Sequence, residues 1–154
     1  MKHELLFLGK TKDKYIVEGI EHYLKRLCHY TSLNVTTLKE KGRGKSKTLS
    51  KEEEGHLLLQ AVPQGAKTVV LDSRGRQFTS FDFAKQIGSW EMQGIKQLCY
   101  LIGGPEGHSQ KVTSSADLLL SFSKMTFTHD MMRLLLVEQL YRAYTIKAGE
   151  KYHK

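Results

Sequence analysis

Leu101-Ile102-Gly103-Gly104-Pro105-Glu106-Gly107 is an apolar strand end running into a glycine-rich turn. Downstream, Leu120-Ser121-Phe122-Ser123-Lys124-Met125-Thr126-Phe127-Thr128-His129 leaves a second apolar run and leads into a long apolar helix. Two backbone-rich loops, each leaving a strand, predict a ligand pocket at the carboxyl edge of a parallel sheet. A basic tail, Lys147 to Lys154, follows within reach. The combination points to a small-molecule cofactor beside a polyanionic substrate.

Working outward, strands and helices alternate. Strands are expected at His3–Gly9, Leu33–Leu38, Thr68–Leu71 (ending at Asp72), Leu98–Ile102 and Leu118–Phe122. Helices are expected at Lys14–Leu27, Leu49–Val62, Phe81–Met92 and Met131–Ile146. Ile16, Ile20, Tyr23, Leu24 and Leu27 form one stripe at helical spacing. Ser50 with Glu53 reads as a capping box, Pro63 and Gly65 stop that helix, and Thr79 or Ser80 caps the next. Ser73 to Gly75 reads as a turn. Short continuous apolar strands between helices give an α/β fold, a mostly parallel sheet with helices on both faces. No repeat or linker divides the chain, so residues 1–154 form a single domain.

The last helix is apolar around most of its circumference, from Met131 and Met132 through Leu140, Tyr141 and Tyr144 to Ile146. Such a helix needs burial on more than one side. A two-fold homodimer satisfies this, as does a central helix within one subunit.

The chain has 154 residues, 40% of them apolar, enough for one core. Twenty-four Lys and Arg against 16 Asp and Glu leave a net charge of +8, which favours nucleic acid or another anionic surface. Leu5 to Leu8 is too short for a secretory signal and no stretch reaches membrane-spanning length, so a cytoplasmic protein with no membrane partner is expected. Cys28 and Cys99 make no zinc set and read as packing residues. No metal site is expected. Neither G-x-G-x-x-G nor G-x-x-x-x-G-K-[ST] occurs, so the turn at Gly103 supports neither dinucleotide nor NTP phosphate binding.

Residues 39–51 carry Lys39, Lys41, Arg43, Lys45, Lys47 and Lys51, interleaved with Gly42, Gly44 and Ser46. They read as a cationic loop, either a phosphate clamp without sequence specificity or a solvated loop. Ser121, Ser123, Thr126 and Thr128 lie between Phe122, Met125 and Phe127, a mixture that suits an adenine ring. Thr126 or Thr128 also suits the N-cap of the last helix. Arg133 and Arg142 on an apolar helix need partners, and Glu138 is one turn before Arg142. Tyr152 and His153 combine a stacking ring with a titratable imidazole.

Together these motifs, with Glu138-Gln139-Leu140-Tyr141-Arg142-Ala143 and Tyr152-His153-Lys154, resemble the bacterial ribosomal RNA large subunit methyltransferase H family. The C-terminal motifs are specific, and the N-terminal half matches in pattern and length. The resemblance implies a SPOUT-class fold with a C-terminal trefoil knot, an exception to the rule against threaded chains. It implies S-adenosylmethionine as cofactor and a homodimer. The implied reaction is methylation of N3 of a pseudouridine in helix 69 of 23S rRNA on assembled ribosomes. By position, Leu71, Gly103, Gly104, Ser123, Lys124, Met125, Thr126, Phe127 and Thr128 would line the cofactor site. Arg142, Tyr152 and His153 would serve substrate binding or catalysis. The family usually has proline where this chain has Thr128, which is expected to loosen the loop before the last helix. A non-catalytic ribosome-assembly factor with the same basic patches is the rival reading.

Overall fold

Leu5 to Leu8, Val69 to Leu71 and Leu98 to Ile102 are all buried, as strands covered on both faces must be. The computed structural model describes residues 1–39 and 49–153. Its elements are β1 (Lys2–Leu8), α1 (Lys14–Leu27), β2 (Ser32–Leu38), α2 (Lys51–Ala61), β3 (Lys67–Gln77) and α3 (Ser80–Met92). They continue with β4 (Gln97–Ile102), α4 (Gln110–Ser114), β5 (Leu118–Ser121) and α5 (His129–Lys147). A 3-10 turn follows at Lys151–His153. The five strands run in the order β2-β1-β4-β3-β5, and every pairing is parallel.

Alternation along β1 splits the core into two. Leu5 and Phe7 face a large cluster with Ile16 and Ile20 of α1, Phe83 and Ile87 of α3, and Leu136 and Leu140 of α5. Leu6 and Leu8 face Leu58 of α2 and Val112 of α4. Side chains two residues apart share a face, so one strand serves both layers. Helices therefore cover both faces, as expected.

Local sequence explains where the helices begin. Ser50 accepts from the Glu53 N–H while Glu53 reaches back to the Ser50 N–H, the predicted capping box. Thr79 caps α3 through the Asp82 N–H. Thr128 caps α5 through the Met131 N–H, two residues earlier than the apolar pattern placed the start.

α5 packs against α1 on one side and α3 on the other. Much of its all-round apolarity is thus used inside a single chain. Arg133 within it is completely buried. Its guanidinium meets Asp130 at 3.0 Å, donates to Thr11 Oγ1 at 2.9 Å and to the Leu8 carbonyl, and lies over the Phe7 ring. Asp130 also accepts from the Lys12 N–H at 3.0 Å. Arg133 therefore ties α5 to the loop leaving β1.

Three expectations change. Strand β3 does not end at Asp72. Leu71 and Arg76 both pair with Leu120, so residues 72–75 loop out and the strand resumes beside β5. Gly75 is not a free turn glycine: a Cβ there would lie 2.6 Å from the Leu119 carbonyl carbon. Cys28 is exposed rather than packed, its thiol donating to the Lys25 carbonyl at 2.9 Å, whereas Cys99 is buried.

The Gly75 approach generates a paired prediction. Gly75→Ala forces backbone against backbone and lowers unfolding free energy by more than about 2 kcal/mol. Gly88→Ala, in the middle of α3 with open space around it, raises it by about 0.5–1 kcal/mol. Urea denaturation of both variants measures the contrast.

Candidate active site

Leu71, where β3 breaks its register, meets the carboxyl ends of β4 and β5 at Ile102 and Leu120, beneath a cavity of about 860 Å³. That volume lies within the range of small-molecule sites. One wall is the turn Gly103 to Gly107, and the other is the segment from Ser121 to His129. Of the residues expected in the cofactor set, Leu71, Gly103, Gly104, Ser123, Met125, Thr126, Phe127 and Thr128 line it. Lys124 is exposed and stands outside the lining.

The turn's geometry follows from its glycines. Gly107 has φ of +75°, a left-handed conformation that favours glycine. Its N–H donates to the Gly104 carbonyl at 3.0 Å, closing the turn. A Cβ on Gly103 would sit 3.1 Å from the His108 ring and 3.2 Å from the Gly107 backbone. Across the cavity, Ser121 donates to the Ser123 carbonyl at 2.8 Å and Ser123 Oγ accepts from the Met125 N–H at 3.0 Å. These bonds shape the second wall while Met125 and Phe127 stay exposed.

Three lining groups, Ser73, Arg74 and His108, were not expected at a ligand site, while Lys51 was expected only in the cationic loop and His129 only at the end of the wall segment. Asp72, read only as a strand end, lines the cavity from the looped-out segment of β3. Its carboxylate accepts from the Arg74 backbone and guanidinium at 2.8–2.9 Å. The Arg74 hydrogen bonds hold its pKa down to about 2, so it is charged at neutral pH. His108 is buried, and burial pushes its pKa below the usual histidine value. No sequence signal distinguished it, because burial after a turn cannot be read from one residue type.

Arg142, Tyr152 and His153 come together, but not at this cavity. Arg142 is ion-paired with Glu138, as expected, and that carboxylate raises its pKa further. Its guanidinium lies 4.9 Å from the Tyr152 ring centroid and 3.5 Å from His153 Nδ1. Tyr152 Oη is 3.2 Å from Glu138 Oε1, and burial raises the phenol pKa. His153 packs edge-on against Phe81, centroids 4.4 Å apart. Arg142 is thirteen residues beyond the His129 start of α5, which is about 20 Å along the helix axis. Within one chain the cavity and the Arg142 cluster are therefore separate.

A family model described as "Predicted SPOUT methyltransferase" matches residues 1–153. The chain belongs to the SPOUT methyltransferase family. Among relatives in this family, a protein of Desulfotalea psychrophila named ribosomal RNA large subunit methyltransferase H is 61% identical, with both chains covered in full. A protein of that name from Halothermothrix orenii is 45% identical over all of both chains. One from Parabacteroides distasonis is 40% identical, with 99% of each covered. Among the described residues, no group of His, Cys, Asp and Glu is placed to hold a metal ion, and no helix is long and apolar enough to cross a membrane.

Of the cationic stretch 39–51, residues 40–48 lie outside the described residues, as does Lys154. Lys51, at the start of α2, lines the cavity.

Thr128 is the α5 cap. Thr128→Ala removes the bond to the Met131 N–H and is expected to cost about 1 kcal/mol. Thr128→Ser keeps it. Thermal melts of the two variants separate the outcomes.

Proposed function

We propose that the protein is an S-adenosylmethionine-dependent methyltransferase acting on N3 of a pseudouridine in helix 69 of 23S rRNA, on assembled ribosomes in the cytoplasm. The observation that carries this reading is the cavity between the looped-out part of β3 and the carboxyl ends of β4 and β5, enclosed by the glycine turn and the Ser121–His129 segment. The names of full-length relatives and the net charge of +8 support the RNA substrate.

The cavity's chemistry fits the cofactor. Leu71, Ile102, Leu120 and Phe122 offer a dry slot for an adenine ring, and Ser123, Thr126 and Thr128 offer edge hydrogen bonds. The Gly103–Gly107 backbone lines one wall of the cavity, with Lys124 flanking the opposite wall. The Asp72 and Glu106 carboxylates suit a cationic ligand. When bound, the sulfonium cofactor supplies a methyl group already activated for transfer, so the protein's task is alignment.

The same reading includes a C-terminal trefoil knot and a homodimer. In support of the knot, β3 pairs with β5 on both sides of the 72–75 loop, and Gly75 touches the Leu119 backbone. In support of the dimer, Arg142 is about 20 Å along α5 from His129 at its own cavity, and Tyr152 and His153 lie beside Arg142. They reach a substrate at a cavity only if a second copy presents it. Met131, Leu134 and Leu135 of α5 remain partly exposed and available to that copy.

Pseudouridine N3 must lose its proton to become a nucleophile. The protonated state of Arg142 is reinforced by Glu138, so it suits the oxyanion that develops on the base rather than proton removal. His153 is the group to accept the N3 proton. Tyr152, held against Arg142 and Tyr141, is the platform for the base. Lys51, with residues 39–50, contacts rRNA phosphate in this reading.

Two measurements check it. Calorimetric titration with S-adenosylmethionine gives binding, and ribosomes lacking the modification accept the methyl group; no binding with or without ribosomes favours the assembly-factor reading instead. In mixed dimers, a Gly103→Val subunit combined with an Arg142→Ala subunit regains about a quarter of wild-type methylation, because half the dimers carry one intact composite site. No recovery on mixing assigns all the chemistry to one chain.

A further inference from the structure

We infer that His108 is a positioning residue of the cofactor pocket: its neutral imidazole pins the Gly103–Gly107 turn open by accepting the Gly103 N–H. This rests on the methyltransferase reading for the identity of the ligand, but not for the pin itself.

The geometry is specific. His108 immediately follows the left-handed Gly107 and folds back under its own turn. The Gly103 N–H donates to Nε2 at 3.1 Å, and the ring is only 5% exposed. A ring nitrogen that accepts carries no proton, so the proton resides on Nδ1. The Gly103 N–H is thereby removed from the set of amides aimed at a ligand, and the orientation of the Gly103–Gly104 peptide is set. Gly103 has no room for a side chain because the His108 ring and the Gly107 backbone occupy that space. The imidazole is thus a filler, an acceptor and a spacer at once.

Only the neutral ring can do this. A doubly protonated imidazole has no acceptor, and its Nε2–H would face the Gly103 N–H. Charged groups act on the ring from two elements. Asp72 on β3 favours the protonated form, though Arg74 already holds that carboxylate, and the Leu71 and Leu101 carbonyls act in the same direction. Lys51 on α2 opposes protonation, and Glu54 of α2 stands over Gly104. Burial outweighs these and keeps the ring neutral below the usual 6.5. Acid sufficient to charge it releases the turn, so cofactor affinity falls as pH drops beneath that value.

The test pairs two variants. His108→Gln keeps an acceptor in reach but does not titrate; His108→Leu fills the space without an acceptor. Titration of S-adenosylmethionine at pH 7.5 is expected to show the Leu variant about tenfold weaker and the Gln variant within about threefold of wild type. Over the pH range in which the His108 ring resonances show it taking up a proton, the wild-type dissociation constant rises more steeply than that of the Gln variant, which retains every other histidine. Thermal melts confirm that each variant is folded. An independent readout needs no cofactor: the ¹⁵N shift of His108 Nε2 marks it as an unprotonated acceptor, and the Gly103 amide proton moves upfield in the Leu variant. Equal affinity of the Leu variant and wild type, or superposable pH profiles of wild type and the Gln variant, overturns the inference. Failure of wild type to bind at any pH defeats the methyltransferase reading, and the Gly103 resonance then decides the pin separately.

Discussion

A guanidinium with no exposure to water holds the two ends of this chain together. Arg133 meets Asp130, the Leu8 carbonyl and Thr11, with the Phe7 ring beneath it. An isolated charge in such a place costs several kcal/mol, so the arrangement persists only because each contact is made. It fixes where α5 starts relative to the carboxyl end of β1. The same end of α5 supplies Thr128, His129 and Met132 to the cavity. One buried cation thus sets both the packing of the last helix and one wall of the site. At the other end of that helix, His3 and Tyr144 share a hydrogen bond of 2.7 Å, and burial lowers the His3 pKa to about 3. α5 is pinned to β1 near both ends, by a charged contact and by a neutral one.

The division of labour along α5 follows. Its first turn belongs to the cavity and its last turns to Arg142 and the tail. A helix of nineteen residues is about 28 Å long, so it separates the cavity from the Arg142 cluster while keeping them rigidly related.

Much of this was readable in the sequence, for physical reasons that differ by element. Apolar runs at Leu5, Val69 and Leu98 announced a doubly covered sheet because burial on both faces removes alternation. Gly103, Gly104 and Gly107 marked a turn because their backbone needs were local. α4 was not foreseen: five polar-rich residues carry no helical period. The return of β3 beside β5 was hidden because Arg74-Gly75-Arg76 has the composition of a turn, and only the tertiary contact with Leu119 gives Gly75 its meaning. The partners of Arg133 were equally hidden, since Leu8 and Thr11 are more than 120 residues away. The residues of the Ser121–His129 cavity wall were legible as a group because they are contiguous, while Asp72 and His108 were missed because each owes its place to how the chain folds back around it.

The strand order carries a consequence for how the chain is made. β4 lies between β1 and β3 and bonds to both, yet it is synthesised after both. Until residues 97–102 leave the ribosome, the two earlier strands have no common neighbour and each presents a raw hydrogen-bonding edge. Such edges invite pairing with the wrong strand. The centre of the sheet is therefore laid only after the strands on either side of it, and premature termination before Gln97 leaves the β1–β2 pair and a lone β3 unjoined, a natural substrate for chaperones and proteases rather than a shorter version of the fold.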